Sequence, residues 1–368
     1  KELVQQAIQS GKLRVQTTPE PADIFIIAVP TPFFDDKSAD MRAVTSATES
    51  ILPHLRPGNL VILESTSPPL TTVNLVQPIL ERSGLTAGKD FLLAYSPERV
   101  LPGKILTELV ENARVIGGIT RASAEAGKAV YATFVKGDIL LTDATTAEMV
   151  KLMENTYRDV NIAIANEFAL IAERLGVNVW EAIEIANRHP RVKILNPGPG
   201  VGGHCIAIDP WFFVEAAPDL ALLIRQARER NDSMPHHVVD RIKEIVGETA
   251  NPVIACLGLT FKPDVDDVRE SPAVEIVEHL IEAGYQIRAF DPHVKSHAHL
   301  KFPLVPSLSD AVRDTDLILL LVDHAEFKQL SGTQFDGMRR KVILDTRNAL
   351  SLDSWHQTGF EVYKLGVG

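Results

Sequence analysis

With 368 residues, 45% of them hydrophobic and 23% charged, the chain is globular and too long for one ordinary core, so two or three domains are expected. A formal charge of −11 with no basic tract excludes general nucleic-acid binding, and no apolar run reaches the 18 residues of a membrane span, so the expectation is a cytoplasmic protein without a membrane segment. Two cysteines exclude a disulfide framework and a Cys-rich metal site, and no metal is expected.

The chain opens on a helix-like segment over 1–8, with no preceding strand, no Gly-x-Gly-x-x-Gly and no ribose-binding acid some twenty residues on. A dinucleotide-binding half that begins here is expected to lack its phosphate-cradling turn. Strand-like runs over 24–29, 60–63 and 91–94 then alternate with helical stretches over 40–55 and 70–82, the pattern of a parallel sheet wrapped by helices. Two of these strands end in turns rich in Pro and Thr, one carrying Thr31 and the other Thr66. Ligands of open α/β sheets gather at the carboxyl ends of strands, so both turns are candidate cofactor contacts as well as stiff connectors.

From Thr145, spaced with Glu148 as a capping box, a long helix is expected to run to Leu175, where Gly176 stops it. Lys151, Asn155 and Arg158 fall at i, i+4 and i+7 on one face. The other faces carry Met149, Val150, Leu152, Met153, Ile164 and Phe168, so the helix is expected to be buried nearly all round with its polar stripe lining a cleft.

The segment from Asn196 to Pro210 sets Gly198, Gly200, Gly202 and Gly203 before Cys205, with Asp209 four residues further on. Glycines let the chain bend through positive φ and let a ligand lie against the backbone. A thiol of pKa about 8.5 is only a few per cent thiolate at neutral pH, yet it is nucleophilic enough to act with a base or a positive field nearby. A lone Cys is more often a small buried hydrophobe. That reading suits Cys256, which sits in an apolar run over 252–258 and leaves Cys205 as the reactive thiol.

A second α/β alternation follows, with strands expected over 253–259, 286–290, 317–322 and 342–344 and a helix over 273–283. The loop after its first strand carries Phe261, Lys262 and Arg269 and ends on Ser271-Pro272, a helix-start signal; Arg347 follows another strand in the same way. An acidic chain must meet an anionic ligand with local cations, although most surface cations are simply solvated.

Val29-Pro-Thr-Pro32, Glu64-Ser-Thr-Ser-Pro-Pro69, Ser96-Pro-Glu-Arg-Val100, Ala147-Glu-Met-Val-Lys151 with Asn155, Gly202-Gly-His-Cys-Ile-Ala-Ile-Asp-Pro210, Phe261-Lys-Pro-Asp264 with Arg269, and Asp345-Thr-Arg347 together resemble the nucleotide-sugar 6-dehydrogenases of the UDP-glucose/GDP-mannose dehydrogenase family. The likeness runs in order along the whole chain. Within the family, Asn187-Arg-His-Pro-Arg191 and the Gly-Gly-His-Cys form are similar to the branch that acts on UDP-N-acetyl-D-mannosamine, whereas UDP-glucose enzymes usually have Gly-Gly-Ser-Cys and lack the His-Pro-Arg.

The resemblance implies two Rossmann-like parallel-sheet domains joined by a long central helix. These are a partial NAD-binding domain over 1–144, truncated at its start, a helical dimerisation and catalytic domain over 145–248, and a UDP-sugar-binding domain over 249–368. It also implies a four-electron oxidation at C6 of the sugar, with NAD taking hydride twice. Cys205 would capture the aldehyde as a thiohemiacetal, and the second transfer would give a thioester that water hydrolyses. Lys151 would shuttle the proton, Asn155 would donate to the oxyanion, and Asp209 and Glu98 compete to activate the water.

On the same grounds Arg347, Lys262 and Phe261 would hold the UDP end, Arg99, Val100, Arg158 and Gly202 would lie nearer the sugar, and Thr31, Thr66 and Arg269 would face NAD. His189 and Arg191 would read the N-acetyl region from a neighbouring subunit of a homodimer or higher homo-oligomer. The competing readings are the same chemistry on UDP-N-acetylglucosamine or UDP-glucose, a UDP-sugar-binding protein without catalysis, and a β-hydroxyacid dehydrogenase, for which the Cys loop has no use.

Overall fold

Runs of Val, Ile and Leu bounded by turn residues build both sheets, because side chains of that shape fill a pleated surface covered on both faces. The computed structural model of the chain describes residues 2–100, 105–295, 298 and 300–368. Its contacts divide it into two units, Lys1–Met153 and Glu154–Gly368, and the division falls inside the helix Ala144–Leu175. The helix expected at the start spans Glu2–Gln9; Lys1 lies outside the described residues.

Among the described residues the first unit holds a five-stranded sheet: β1 Ile24–Ile27, β2 Leu60–Leu63, β3 Leu92–Tyr95, β4 Arg114–Gly118 and β5 Ile139–Asp143, side by side in chain order. Every neighbouring pair is parallel except β3 with β4, which is antiparallel. Val61, Leu63, Leu93 and Tyr95 pack into one core, and Ile62, Ala94, Ile116 and Tyr131 into another. Strands β4 and β5 fall outside the runs expected from sequence. Gly117 shows why β4 departs from the usual apolar signature: a Cβ there would stand 2.3 Å from the Asp143 carbonyl oxygen, so the strand exchanges side-chain bulk for close approach to β5. The helix expected over 70–82 begins as a widened π-turn, Thr72–Val76, and becomes α-helical over Gln77–Glu81.

In the second unit β6 Val253–Leu257, β7 Gln286–Phe290, β8 Leu317–Leu320, β9 Val342–Asp345 and β10 Glu361–Lys364 pair in parallel in the order β10-β9-β8-β6-β7. The edge strand β10, Glu-Val-Tyr-Lys, was not expected from its residues. The helix Pro272–Glu282 starts as its residues predict, with the Ser271 side chain accepting from the N–H of Ala273 and Pro272 in the first turn. The helix Leu222–Val246 lays Met234, Val238, Ile242 and Val246 on the core formed with Ile254, Leu317 and Leu344.

The long helix ends where Gly176, at φ +69°, turns the chain. Two expectations about it are corrected. Asp143, not Thr145, serves its first turn, accepting from the N–H of Thr146 at 2.9 Å and from its hydroxyl at 2.6 Å. Glu148 is not part of a capping box: it is drawn into the first core, accepting from the N–H of Leu70 and of Thr72 at 2.7 Å each and from the Thr72 hydroxyl at 2.6 Å. Nor is the helix buried all round, since Met153, Tyr157, Ile164, Phe168, Ile171 and Leu175 form an exposed apolar stripe.

Candidate active site

In the second unit the glycine segment packs under the loop that follows β6. Gly203 has φ +86°, and a Cβ there would meet the Phe261 ring at 2.9 Å. Gly202 is packed so that a Cβ would fall 2.1 Å from the Glu270 carbonyl oxygen, which accepts from the N–H of Gly203. Glycine at both positions is therefore a condition for seating Phe261 beside the Cys205 loop.

Cys205 is partly exposed, with its Sγ 3.0 Å from Nδ1 of His204. Its carbonyl accepts from the N–H groups of Ile208 and Asp209, a turn that leads straight into the helix Asp209–Ala216. Hydrogen bonding to Asp267 raises the Arg269 guanidinium above its ordinary pKa, with a smaller electrostatic contribution from Cys205. Arg269 thus sets a positive field at the thiol, and its fork on Asp267 holds that carboxyl below the usual range. Burial alone pushes the Cys256 thiol far up, as suits core.

The helix Ala144–Leu175 brings Asn155 to Asp209: the Asn155 amide donates to the Asp209 carboxylate at 2.6 Å, and Asp209 is buried. Lys151, one turn earlier, is buried as well, whereas Arg158 is exposed. The buried polar face continues instead through Asp159 and Asn166. Arg228 pairs with Asp159, Asn231 donates to Asp159 at 2.8 Å, Asn166 donates to Asn231 at 2.9 Å, and the Asn166 side-chain Oδ1 accepts from the N–H of Gly198 at 2.9 Å. This buried ladder fixes the glycine segment from behind, and reading polar residues past Arg158 at helical spacing would have found its first rungs.

Arg347 lies against Gly198, where a Cβ would stand 2.4 Å from its Nη1, and its Nε donates to Asp323 at 3.3 Å. Pro199, Gly200, Phe261, Lys262, Asp323 and Arg347 line a pocket here, with two cations facing it beside an apolar ring. Asp323 escaped the sequence reading because its partner is 24 residues away.

In the first unit Ser65 laces the two strand-end turns together, accepting from the N–H of Val29 and donating to its carbonyl, both at 2.8 Å. Thr31 and Thr66 sit partly exposed on those turns. Glu98, Arg99 and Val100 follow β3 and are partly exposed. The antiparallel course of β4 returns its first residue, the buried Arg114, to this end of the sheet, where it donates to Glu98 at 2.9 Å, to Ser96 at 3.0 Å and to Glu64 at 3.4 Å. The Arg114 guanidinium also lies 4.2 Å from the Tyr131 ring centroid. Burial, and then the Glu64 charge, push the Tyr131 phenol strongly up. His189 and Arg191 are exposed after the helix Val179–Ala186, and the Arg191 N–H donates to Nδ1 of His189 at 3.3 Å.

This chain belongs to the UDP-glucose/GDP-mannose dehydrogenase family: residues 1–135 match the family's NAD binding domain, 145–233 its central domain and 255–352 its UDP binding domain. It is an NAD-dependent UDP-sugar dehydrogenase, an oxidoreductase.

Among its relatives it is similar to the UDP-N-acetyl-D-mannosamine dehydrogenase of Methanocaldococcus jannaschii, with 53% identity over 100% of this chain and 84% of that one. It is 49% identical to an NDP-N-acetyl-D-galactosaminuronic acid dehydrogenase of Ralstonia solanacearum, over 95% of this chain and 84% of the relative. The solved structure of the UDP-N-acetyl-mannosamine dehydrogenase of S. aureus superposes with a TM-score of 0.89 at 50% identity, covering 100% of this chain and 86% of that chain. Among the described residues, no helix is long and apolar enough to cross a membrane.

Proposed function

We propose that the protein oxidises UDP-N-acetyl-D-mannosamine at C6 to UDP-N-acetyl-D-mannosaminuronate. The observation that carries this reading is Cys205, a partly exposed thiol 3.0 Å from an imidazole nitrogen, on a glycine segment packed beneath Phe261 and Arg347. The Ser65-laced turns at the ends of β1 and β2 fit a dinucleotide, because they offer the Thr31 and Thr66 hydroxyls where α/β sheets take ligands. When bound, NAD accepts a hydride from C6 in each of the two oxidations.

Lys151 takes the hydroxyl proton in the first, and Asn155 donates to the C6 oxygen. The Cys205 thiolate then adds to the aldehyde carbon, and the oxygen gains a proton, giving a thiohemiacetal. Loss of hydride and that proton leaves a thioester. Water adds, the carbon–sulfur bond breaks, and carboxylate and thiol are released. Asp209, tied to Asn155, is the base we assign to that water; Glu98 is engaged by Arg114.

Lys262 and Arg347 meet the pyrophosphate, with Phe261 beside them; Arg99, Val100, Arg158 and Gly202 lie nearer the sugar; Thr31, Thr66 and Arg269 face the cofactor. We divide the chain functionally into 1–144, 145–248 and 249–368. The apolar stripe from Met153 to Leu175 supports a homodimer through the long helix, with His189 and Arg191 reaching the partner's sugar site. Two cysteines that form no disulfide and an NAD-dependent reaction suit the reducing cytoplasm.

The test is to supply NAD with each candidate UDP-sugar and count NADH formed. Two NADH per UDP-N-acetyl-D-mannosamine are expected, with the glucose, N-acetylglucosamine and N-acetylgalactosamine counterparts turned over far more slowly. A higher kcat/KM on any of those would reassign the substrate. Cys205→Ser should halt after the aldehyde or accumulate a slowly hydrolysed ester; uronic acid formed at the native rate would end the thioester reading.

A further inference from the structure

His324 is fully buried in the second unit, and both of its ring nitrogens are engaged. The backbone N–H of Asp264 donates to Nδ1 at 2.9 Å, so Nδ1 must carry a lone pair. The ring proton therefore sits on Nε2, which faces the Asp291 carboxylate at 3.1 Å. Asp291, equally buried, also accepts from the N–H of Leu259 at 2.7 Å and of His293 at 2.8 Å. Burial raises the Asp291 carboxyl, but these hydrogen bonds outweigh it and hold it below the ordinary range.

The residue at the far end of this relay is unusual. Asp264 has φ +61°, a conformation a non-glycine residue keeps when its surroundings hold it there. Two bonds hold it: its N–H on His324, and its carboxylate accepting from the N–H of Ala325 at 2.9 Å. Between Leu259, bound by Asp291, and Asp264, bound by His324, lies the stretch that carries Phe261 and Lys262. Thr260 ties it further by donating to the Lys262 carbonyl at 2.8 Å.

We propose that His324, as a neutral imidazole with its proton on Nε2, is a positioning residue for the nucleotide sugar: it clamps the 260–264 loop so that Lys262 faces the ligand and Phe261 stays seated on Gly203. The proposal rests on the assignment of Lys262 to the UDP end of the substrate. His324 touches neither substrate nor cofactor in this role; it acts through the loop.

The two nitrogens can be tested separately. In His324→Asn the amide oxygen takes the place of Nδ1 and can still accept from Asp264. In His324→Gln the amide reaches the Nε2 position, keeping a donor for Asp291 but leaving the Asp264 N–H without an acceptor. His324→Gln is expected to raise KM for the UDP-sugar about five- to tenfold, the loss of roughly one hydrogen bond, while kcat and KM for NAD stay within about twofold. His324→Asn should restore most of the affinity. In a Lys262→Ala background His324→Gln should add little, because both changes act on one contact.

Equal KM for wild type and His324→Gln, equal losses in Asn and Gln variants, or full additivity with Lys262→Ala would each overturn the clamp. Should the Gln variant fail to fold, amide exchange in the wild-type protein decides: the Asp264 N–H should be protected, and exchange at a free-loop rate would refute the proposal. Failure of the wild type to bind any UDP-sugar would instead refute the substrate assignment, independently of the Asp264 exchange result.

Discussion

In the first unit the segment that follows β2 is held by Glu148, which accepts from Leu70 and Thr72; in the second, the segment that follows β6 is held by Asp291, which accepts from Leu259, His293 and His324. Each is a buried carboxylate fed by backbone N–H groups, yet they titrate in opposite directions. For Glu148 burial dominates and raises the pKa, the Thr72 and Leu70 bonds offsetting only part of it. For Asp291 the same burial is outweighed once an imidazole N–H joins the backbone donors, and the pKa falls. The direction in which a buried carboxylate shifts is thus decided by the balance of desolvation against the donors and charge aimed at it, and His324 is the largest contributor on the lowering side at Asp291.

The largest effect should come from the lysine of the long helix. Lys151→Ala is expected to lower kcat by about 10² to 10⁴ without weakening UDP-sugar binding, as loss of a proton shuttle and oxyanion partner does. An unchanged kcat in steady-state kinetics would place Lys151 among the structural residues. Next, Asp291→Ala leaves the Nε2–H of His324 and two backbone N–H groups facing an empty site, and should cost about 3 to 5 kcal/mol in denaturant unfolding. Glu148→Gln, which keeps one acceptor oxygen, should cost only about 1 to 2 kcal/mol. If the two variants prove equally unstable, the contrast between the anchors is wrong.

Arg191→Ala, at an exposed position, should leave stability alone and raise KM for the N-acetylated sugar by the equivalent of about 1.5 to 3 kcal/mol. Unaltered kcat/KM would remove Arg191 from the site. The smallest effect is also the sharpest comparison. Glu148, raised in the folded state, favours folding most below the ordinary glutamate range and loses that contribution as pH rises through its folded pKa. Asp291, depressed, contributes fully above the ordinary aspartate range and loses its contribution as pH falls through its folded pKa. Melting curves across the acid range should therefore show the wild-type advantage over Glu148→Gln shrinking as pH rises and that over Asp291→Asn growing. Parallel curves would mean that both carboxylates share one charge state.

Much of the fold was legible because its signals are local. β2 and β7 fall on the runs their residues predict, Ser271-Pro272 opens its helix, and Gly176 closes the long one. The Cys205 segment could be singled out for the same reason, since a thiol, four glycines and a carboxylate within a dozen residues restrict the backbone and the chemistry together.

What the residues could not announce was which partner each would take at a distance. Glu148 sits at capping-box spacing from Thr145 but binds Thr72, 76 residues away, because packing the helix start against the first sheet offers it three donors that a solvated cap cannot match. Arg114 reaches Glu98 through the reversal of β4, which no apolar period records. The apolar stripe of the long helix likewise reads as core until the fold leaves its residues exposed. The sequence by itself determined most of the elements and set a thiol on its glycine bed, consequences of short-range backbone sterics and side-chain chemistry. Tertiary structure alone decided which buried charges meet, because burial and long-range pairing are properties of packing and not of any short run of residues.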